Sequence, residues 1–140
     1  MHRDEFGNLE EWGRVLSQLA QLARDQVLDE HQDGLVRLLR YAGNWRLREA
    51  ALEAVQSVKR PAETLMSEVL RIMADERLYH EVRVLAAEAL ACSVAASRAS
   101  TDGRNHTLEQ RVIDQMHALL DSPHPPLLHQ AVRRVLPTIE

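Results

Sequence analysis

Leu47-Arg-Glu-Ala-Ala-Leu-Glu-Ala-Val55 recurs 35 positions later, without a gap, as Val82-Arg-Val-Leu-Ala-Ala-Glu-Ala-Leu90. Both copies carry an aliphatic residue at each end, an arginine, a central alanine, a glutamate and a second alanine. A third stretch, Leu128-His-Gln-Ala-Val-Arg-Arg-Val-Leu136, keeps the aliphatic spacing after a longer interval of 46 residues. Self-similarity at a period of roughly 30 to 50 residues is typical of stacked helical repeats.

The alanines of the repeat have a physical explanation. Two layers of helices can approach closely only where the facing surfaces carry alanine between larger aliphatic side chains. We therefore predict helix contacts at four positions: Ala51, Ala54, Ala86 and Ala89.

The repeated stretch resembles the second helix of HEAT repeats, where a signature of the type V-R-x-x-A-A-x-A-L is common. The resemblance implies an all-α fold, a short right-handed α-solenoid of about seven helices. It also implies that Arg48 and Arg83 are structural, because the arginine of this signature commonly pairs with an aspartate of a neighbouring HEAT repeat. His129 replaces it in the third copy. Tetratricopeptide repeats have a similar length, but their Trp, Gly-Tyr and Pro signature is missing from both well-matched copies.

Hydrophobic periodicity places seven helices along the chain. Asn8 and Glu11 have capping-box spacing before the first helix, Asn44 is suited to cap the third, and Pro61 to open the fourth. Asp33 leaves open a shorter second helix. The helices are predicted near residues 9–24, 26–42, 45–59, 61–75, 80–96, 108–120 and 126–136. Residues 1–140 would thus form a single HEAT-like domain: capping helix 9–24, helix pairs 26–60, 61–96 and 107–138, and polar insertion 97–106.

Composition narrows the function. Charged residues make up 27% of the chain and the formal net charge is -4, which lacks the basic excess usual in nucleic-acid-binding proteins. Cys92 is the only cysteine, so no internal disulfide can form and a reducing compartment suits the chain. The first residues are acidic where a signal peptide would be basic, and no run of about 18 apolar residues occurs. We expect a cytoplasmic protein outside the membrane.

No sequence motif points to catalysis, since glycine-rich phosphate loops, nucleophile elbows and H-E-x-x-H helices are missing. His117, His124 and His129 lie within 13 residues, but their spacing does not place them on one helix face. Cys92 is best explained as a small packing residue. We therefore predict a protein that is not an enzyme and that holds no cofactor or metal.

Two other residue groups have competing interpretations. Trp12 and Trp45 stand at predicted helix starts, where an aromatic residue can anchor a partner, although packing against an adjacent helix is the favoured interpretation. A weak basic patch for phosphate or nucleic acid could be formed by four arginines: Arg98, Arg104, Arg133 and Arg134.

The surface of the repeated helices is the predicted binding site, because second helices usually line the concave side of HEAT proteins. Its middle is acidic, which favours a protein or peptide partner with a basic or amphipathic helix, and the polar insertion would add a side contact. A merely solvated surface is the competing interpretation. The predicted binding residues are Arg46, Glu49, Glu53, Glu81, Val84, Glu88, Gln130 and Arg134.

Two further hypotheses remain open at this point. The first helix could either cap the core or mediate a homodimer, since short solenoids have exposed apolar ends. HEAT-like folds also occur in DNA-base repair glycosylases and bilin lyases, which makes a nucleic-acid-binding or cofactor-lyase-like protein the alternative to an interaction module. No residues of this chain match the active sites of those enzymes.

Overall fold

The computed structural model describes residues 6–100 and 104–140. Within these residues the chain forms seven α-helices and no β-strand, which confirms the predicted all-α class. Short 3₁₀ turns lie at Leu28–His31 and Leu136–Thr138. The helices are α1 (Trp12–Arg24), α2 (Gln32–Arg40), α3 (Trp45–Val55), α4 (Glu63–Ala74), α5 (His80–Ala99), α6 (His106–Leu120) and α7 (Pro126–Val135).

The helices lie in two rows. In the first row, α3 packs against α1 and α5, and α5 packs against α7. In the second row, α4 packs against α2 and α6. The rows are joined because α2 contacts α3, α4 contacts α5, and α6 contacts both α5 and α7. The buried side chains form a single apolar core between the rows.

The repeat alanines lie inside this core. Ala51, Ala86 and Ala89 are fully buried, and Ala54 is nearly so. Because alanine has no side chain beyond Cβ, its burial lets neighbouring helices approach closely. All four alanines are core residues, as the predicted helix contacts require.

The repeated arginine binds the end of the preceding helix. The last carbonyl groups of an α-helix have no partner within that helix, so a side-chain donor from outside stabilises them. A histidine ring takes the same position in the third copy; since a carbonyl can only accept, its Nε2 carries the proton. The three bonds join Arg48 Nε to the Leu39 oxygen at 3.0 Å, Arg83 Nε to the Met73 oxygen at 2.8 Å, and His129 Nε2 to the Leu119 oxygen at 3.1 Å.

These bonds add a main-chain partner to the aspartate that the resemblance implied. Arg48 and Arg83 each donate from Nε to a main-chain carbonyl, and the charge of Asp75 at the end of α4 acts on both guanidinium groups. Arg83 also donates to His124 of the next helix pair, over 3.2 Å. Both arginines thus bind the end of the preceding helix, and Asp75 lies close enough to both to favour their charged form.

The helix ends differ from the prediction where several polar groups compete. The first helix starts at Trp12, three residues later than predicted, and the capping box is wrong. Asn8 accepts from the Glu10 amide at 3.0 Å, while the Glu11 carboxylate receives the Arg14 guanidinium at 2.9 Å. Because these local hydrogen bonds occupy the side chains of Asn8 and Glu11, neither is left to cap a helix at residue 9, and the helix starts later than predicted.

Two other helices are shorter at their starts. The second helix starts at Gln32, which is closer to the shorter predicted helix than to the one predicted to start at residue 26. Asp33 lies inside its first turn instead of capping it. The fourth starts at Glu63, and Pro61 precedes the helix. Asn44 does cap the third helix, accepting from the Arg46 amide at 2.9 Å.

The polar insertion at residues 97–106 is smaller than predicted. Helix α5 continues to Ala99, and Asn105 caps α6 by accepting from the Leu108 amide at 3.0 Å. Residues 101–103 of the insertion lie outside the described residues. The described ends of the insertion converge on the buried carboxylate of Glu109, which accepts from Ser97 Oγ at 2.6 Å and pairs with Arg104 at 3.1 Å and Arg98 at 3.5 Å.

This carboxylate should make stability depend on pH. Burial acts to raise the pKa of Glu109, but the hydrogen bonds from Arg104 and Ser97, together with the charge of Arg104, outweigh it and hold the pKa below its usual value. A lowered native pKa adds stability above the unfolded-state pKa of about 4.3, and that stability is lost as pH falls through the native pKa. We expect Glu109→Gln to lower the free energy of unfolding at pH 7 by about 1–3 kcal/mol.

Urea unfolding between pH 3 and 7 measures this effect. The difference between wild type and Glu109→Gln should narrow as pH falls below about 4. Glu10→Gln, at an exposed position, is the control and should unfold like wild type. A difference that stays constant down to pH 3 would show that packing, and not charge, accounts for the loss.

Candidate functional site

The predicted binding residues fall on three neighbouring helices of the first row. Five of the eight side chains are exposed, and Glu49, Val84 and Glu88 are half-buried. The structure thus brings the eight positions to adjacent helices. By helix they are Arg46, Glu49 and Glu53 on α3, Glu81, Val84 and Glu88 on α5, and Gln130 and Arg134 on α7.

The charge of this surface is not uniform. Arg134 on α7 pairs with Glu88 on α5 at 2.9 Å, so the two charges offset each other. Val84 packs partly against the core. The surface therefore offers little net charge between α5 and α7.

Three carboxylates on α3 and α5 have no such compensation. Burial raises the pKa of Glu49, and the charges of Glu53 and Glu81 raise it further. Within residues 6–100 and 104–140, none of these three side chains forms an ion pair. This acidic cluster, Glu49, Glu53 and Glu81, carries repulsion that a cation would relieve.

The exposed large apolar side chains lie at the N-terminal ends of the first-row helices. In the described part of the chain there are four: Trp12 (42% exposed), Trp45 (50%), Tyr79 (69%) and Leu127 (57%). Each stands at the start of a first-row helix, respectively α1, α3, α5 and α7. We call the three aromatic residues among them, Trp12, Trp45 and Tyr79, the aromatic edge, and all three line one pocket. Exposed apolar side chains that lie together on a soluble protein commonly mark an interaction site.

The two tryptophans are partly packed and partly exposed, so both interpretations offered by the sequence remain open. Trp12 and Trp45 keep about half of their surface in solvent, and the other half is covered by the protein. The guanidinium of Arg46 lies 5.7 Å from the Trp12 ring centroid and 5.5 Å from that of Trp45. At these distances a cation is attracted to both π faces. Sequence reasoning did not single out Tyr79, which precedes the helical periodicity of α5.

A pocket of about 310 Å³ joins the aromatic edge to the acidic cluster. It is lined by Trp45 and Glu49 of α3 and by Tyr79 and Glu81 at the start of α5. Trp45 and Glu49 are four residues apart, which places them on the same face of their helix. The pocket combines two aromatic rings with two carboxylates.

Comparison of the chain with protein-family models, with curated proteins and with solved structures gave no match. Function must therefore be argued from these residues.

His124 and His129 lie close together and have structural contacts. His124 accepts from Arg83 at Nδ1, and its Nε2 lies 3.9 Å from Glu76. Burial and the neighbouring Arg83 lower the pKa of His124, although Glu76 opposes this shift. The ring of His129 is 6.1 Å away. No three His, Cys, Asp or Glu side chains converge as metal ligands anywhere in the described residues.

The thiol of Cys92 and most arginines of the basic patch are held in other interactions or environments. Burial raises the pKa of the half-buried Cys92 thiol, which opposes formation of a nucleophilic thiolate. Of the four arginines in the weak basic patch, Arg98 and Arg104 bind Glu109 and Arg134 binds Glu88. No helix in the described part of the chain is long and apolar enough to cross a membrane.

Proposed function

We propose that this protein is a non-catalytic protein-binding module that receives a basic segment of another protein on α3 and α5. The observation that carries the proposal is the acidic cluster lying beside exposed Trp45 and Tyr79. Aromatic residues are enriched at protein interfaces, and complementary charge guides association. A basic or amphipathic helix, or an extended basic peptide, has the chemistry that this surface lacks.

The fold we propose for the module is a short right-handed HEAT-like α-solenoid. Three observations support it: the two rows of helices, the gap-free recurrence at 35 residues, and the helix-end bond repeated at Arg48, Arg83 and His129. In such an architecture each helix pair packs mainly on its neighbours, and the exposed positions of successive helices form one continuous surface. Helix α1, which packs on α3, would cap one end.

We place this activity in the cytoplasm. The single cysteine cannot form an internal disulfide, and reducing conditions suit a half-buried thiol.

Reversal of the acidic cluster tests the proposed function. We expect Glu49→Lys/Glu53→Lys/Glu81→Lys to weaken partner binding at least about tenfold, because like charges then face the basic segment. Partners are captured from a lysate of the source cells and identified, and the dissociation constant is then measured with each purified partner at two salt concentrations. A control with the same charge change at exposed positions off the first row is Glu30→Lys/Glu63→Lys/Asp114→Lys.

A partner that binds the wild type and both triple variants equally would place its site elsewhere. Affinity of the purified protein for DNA that falls steeply with salt, together with no protein partner, would favour the nucleic-acid alternative.

A further inference from the structure

We propose that the pocket lined by Trp45, Glu49, Tyr79 and Glu81 binds the side chain of one arginine of the partner protein. This inference rests on the proposed function, since it names the group that the acidic surface recognises. The pocket lies between the first turns of α3 and α5 and opens to solvent at the aromatic edge.

The pocket offers a flat cation both kinds of contact that it prefers. The side chains of Trp45 and Tyr79 line the pocket, and aromatic rings attract a guanidinium placed over their faces. The carboxylates of Glu49 and Glu81 can each accept two parallel N–H bonds from a guanidinium. Arginine presents five donors in a fixed plane and stacks on aromatic rings, whereas the lysine ammonium is a compact and strongly hydrated charge. Arginine therefore fits this lining better than lysine.

The electrostatics of the pocket also favour a cation over a neutral group. Glu49 is half-buried and lies near Glu53 and Glu81, with no basic side chain paired to any of the three among the described residues. A neutral ligand would remove water from the carboxylates without replacing its stabilisation. A guanidinium replaces that water with charge-assisted hydrogen bonds.

The chain itself contains an example of the proposed contact. Arg46 places its guanidinium 5.5 Å from the centroid of the Trp45 ring and bridges to Trp12. The same indole therefore already binds one guanidinium within the molecule. The proposed arginine would bind beside Trp45 in the pocket that holds the carboxylates.

The test uses three small probes of similar shape: N-acetylarginine amide, N-acetyllysine amide and N-acetylcitrulline amide, which is the neutral isostere of the arginine probe. Each is titrated into the ¹⁵N-labelled full chain, and the indole N–H resonances are followed, with Trp12→Phe used to assign Trp45. We expect saturable shifts at Trp45 with the arginine probe, with a dissociation constant on the order of millimolar. The lysine probe should bind at least about threefold more weakly, and the citrulline probe should not saturate.

Two variants and one control locate the binding. Tyr79→Ala and Glu49→Gln/Glu81→Gln should each weaken arginine binding at least about fivefold. The control Glu30→Gln/Glu63→Gln removes the same charge at exposed positions off the first row and should bind like wild type. Helical content by circular dichroism shows that the variants are folded.

Three results would overturn the inference: equal binding of arginine and citrulline probes, equal binding of arginine and lysine probes, or unchanged binding in both variants. Indole shifts that depend on protein concentration without a probe would show a second copy in the pocket and would also overturn it. If the arginine probe binds but the charge-reversed triple variant still binds every partner protein, only the proposed function is contradicted. If the charge-reversed triple variant loses a partner protein but the arginine probe does not bind the wild type, only the arginine assignment is contradicted.

Discussion

Replacement of Arg83 by alanine should lower the free energy of unfolding by about 3 kcal/mol. Arg83 is 2% exposed, and it is among the largest fully buried side chains of the described chain. Its loss leaves the Met73 carbonyl at the end of α4 and the His124 ring without their shared donor, and it opens a cavity. Each buried acceptor left without a partner costs about 1–3 kcal/mol.

Urea unfolding of Arg83→Ala beside Arg83→Met separates these effects, because methionine fills much of the volume but cannot donate. Both variants should be destabilised, with alanine the more so. Arg77→Ala serves as the control, since its side chain is 89% exposed. Wild-type stability in Arg83→Met would show that the bond to the helix end contributes nothing, and that Arg83 acts only by filling space.

Replacement of Leu90 by alanine should lower the free energy of unfolding by about 3 kcal/mol as well, within a range of about 2–5 kcal/mol. Leu90 is fully buried on α5, which packs against α3 and α7 of its own row and α4 and α6 of the other. A cavity at this position removes packing contacts inside the apolar core. Leucine-to-alanine changes in such sites combine lost burial with a void that the structure refills only in part.

Chemical denaturation measured by circular dichroism tests the Leu90 prediction, with Leu127→Ala as the same change at a residue that is 57% exposed. The control should unfold within about 0.5 kcal/mol of wild type. Similar small losses in both variants would mean that α5 is not central to the packing.

The fold was predictable to the level of helix number because apolar periodicity and the repeat at 35 residues report on burial directly. Helix ends were less predictable, since several polar groups near one end compete for the same amides. Asn8 and Glu11 match a capping box in sequence, yet each binds a different local partner and the helix starts at Trp12. The arginine bond to a helix end was missed because it depends on how two helices cross.

The candidate site was predictable only in part. Periodicity located Glu49, Glu53 and Glu81 on neighbouring helices, but sequence could not tell that Arg134 offsets Glu88 and leaves those three uncompensated. Trp12 and Trp45 were candidates from the sequence, but their exposure was not predictable, because it depends on whether another helix covers the first residue of a helix. The available signal was a large apolar residue at the start of every first-row helix.

The aromatic edge also sets a length scale. Helices packed side by side in a row are about 8–10 Å apart. An extended peptide advances about 3.3 Å per residue. An extended chain lying across α1, α3 and α5 would therefore need about three residues to pass from one of Trp12, Trp45 and Tyr79 to the next. In the proposed solenoid, one further helix pair would extend the edge by one such interval.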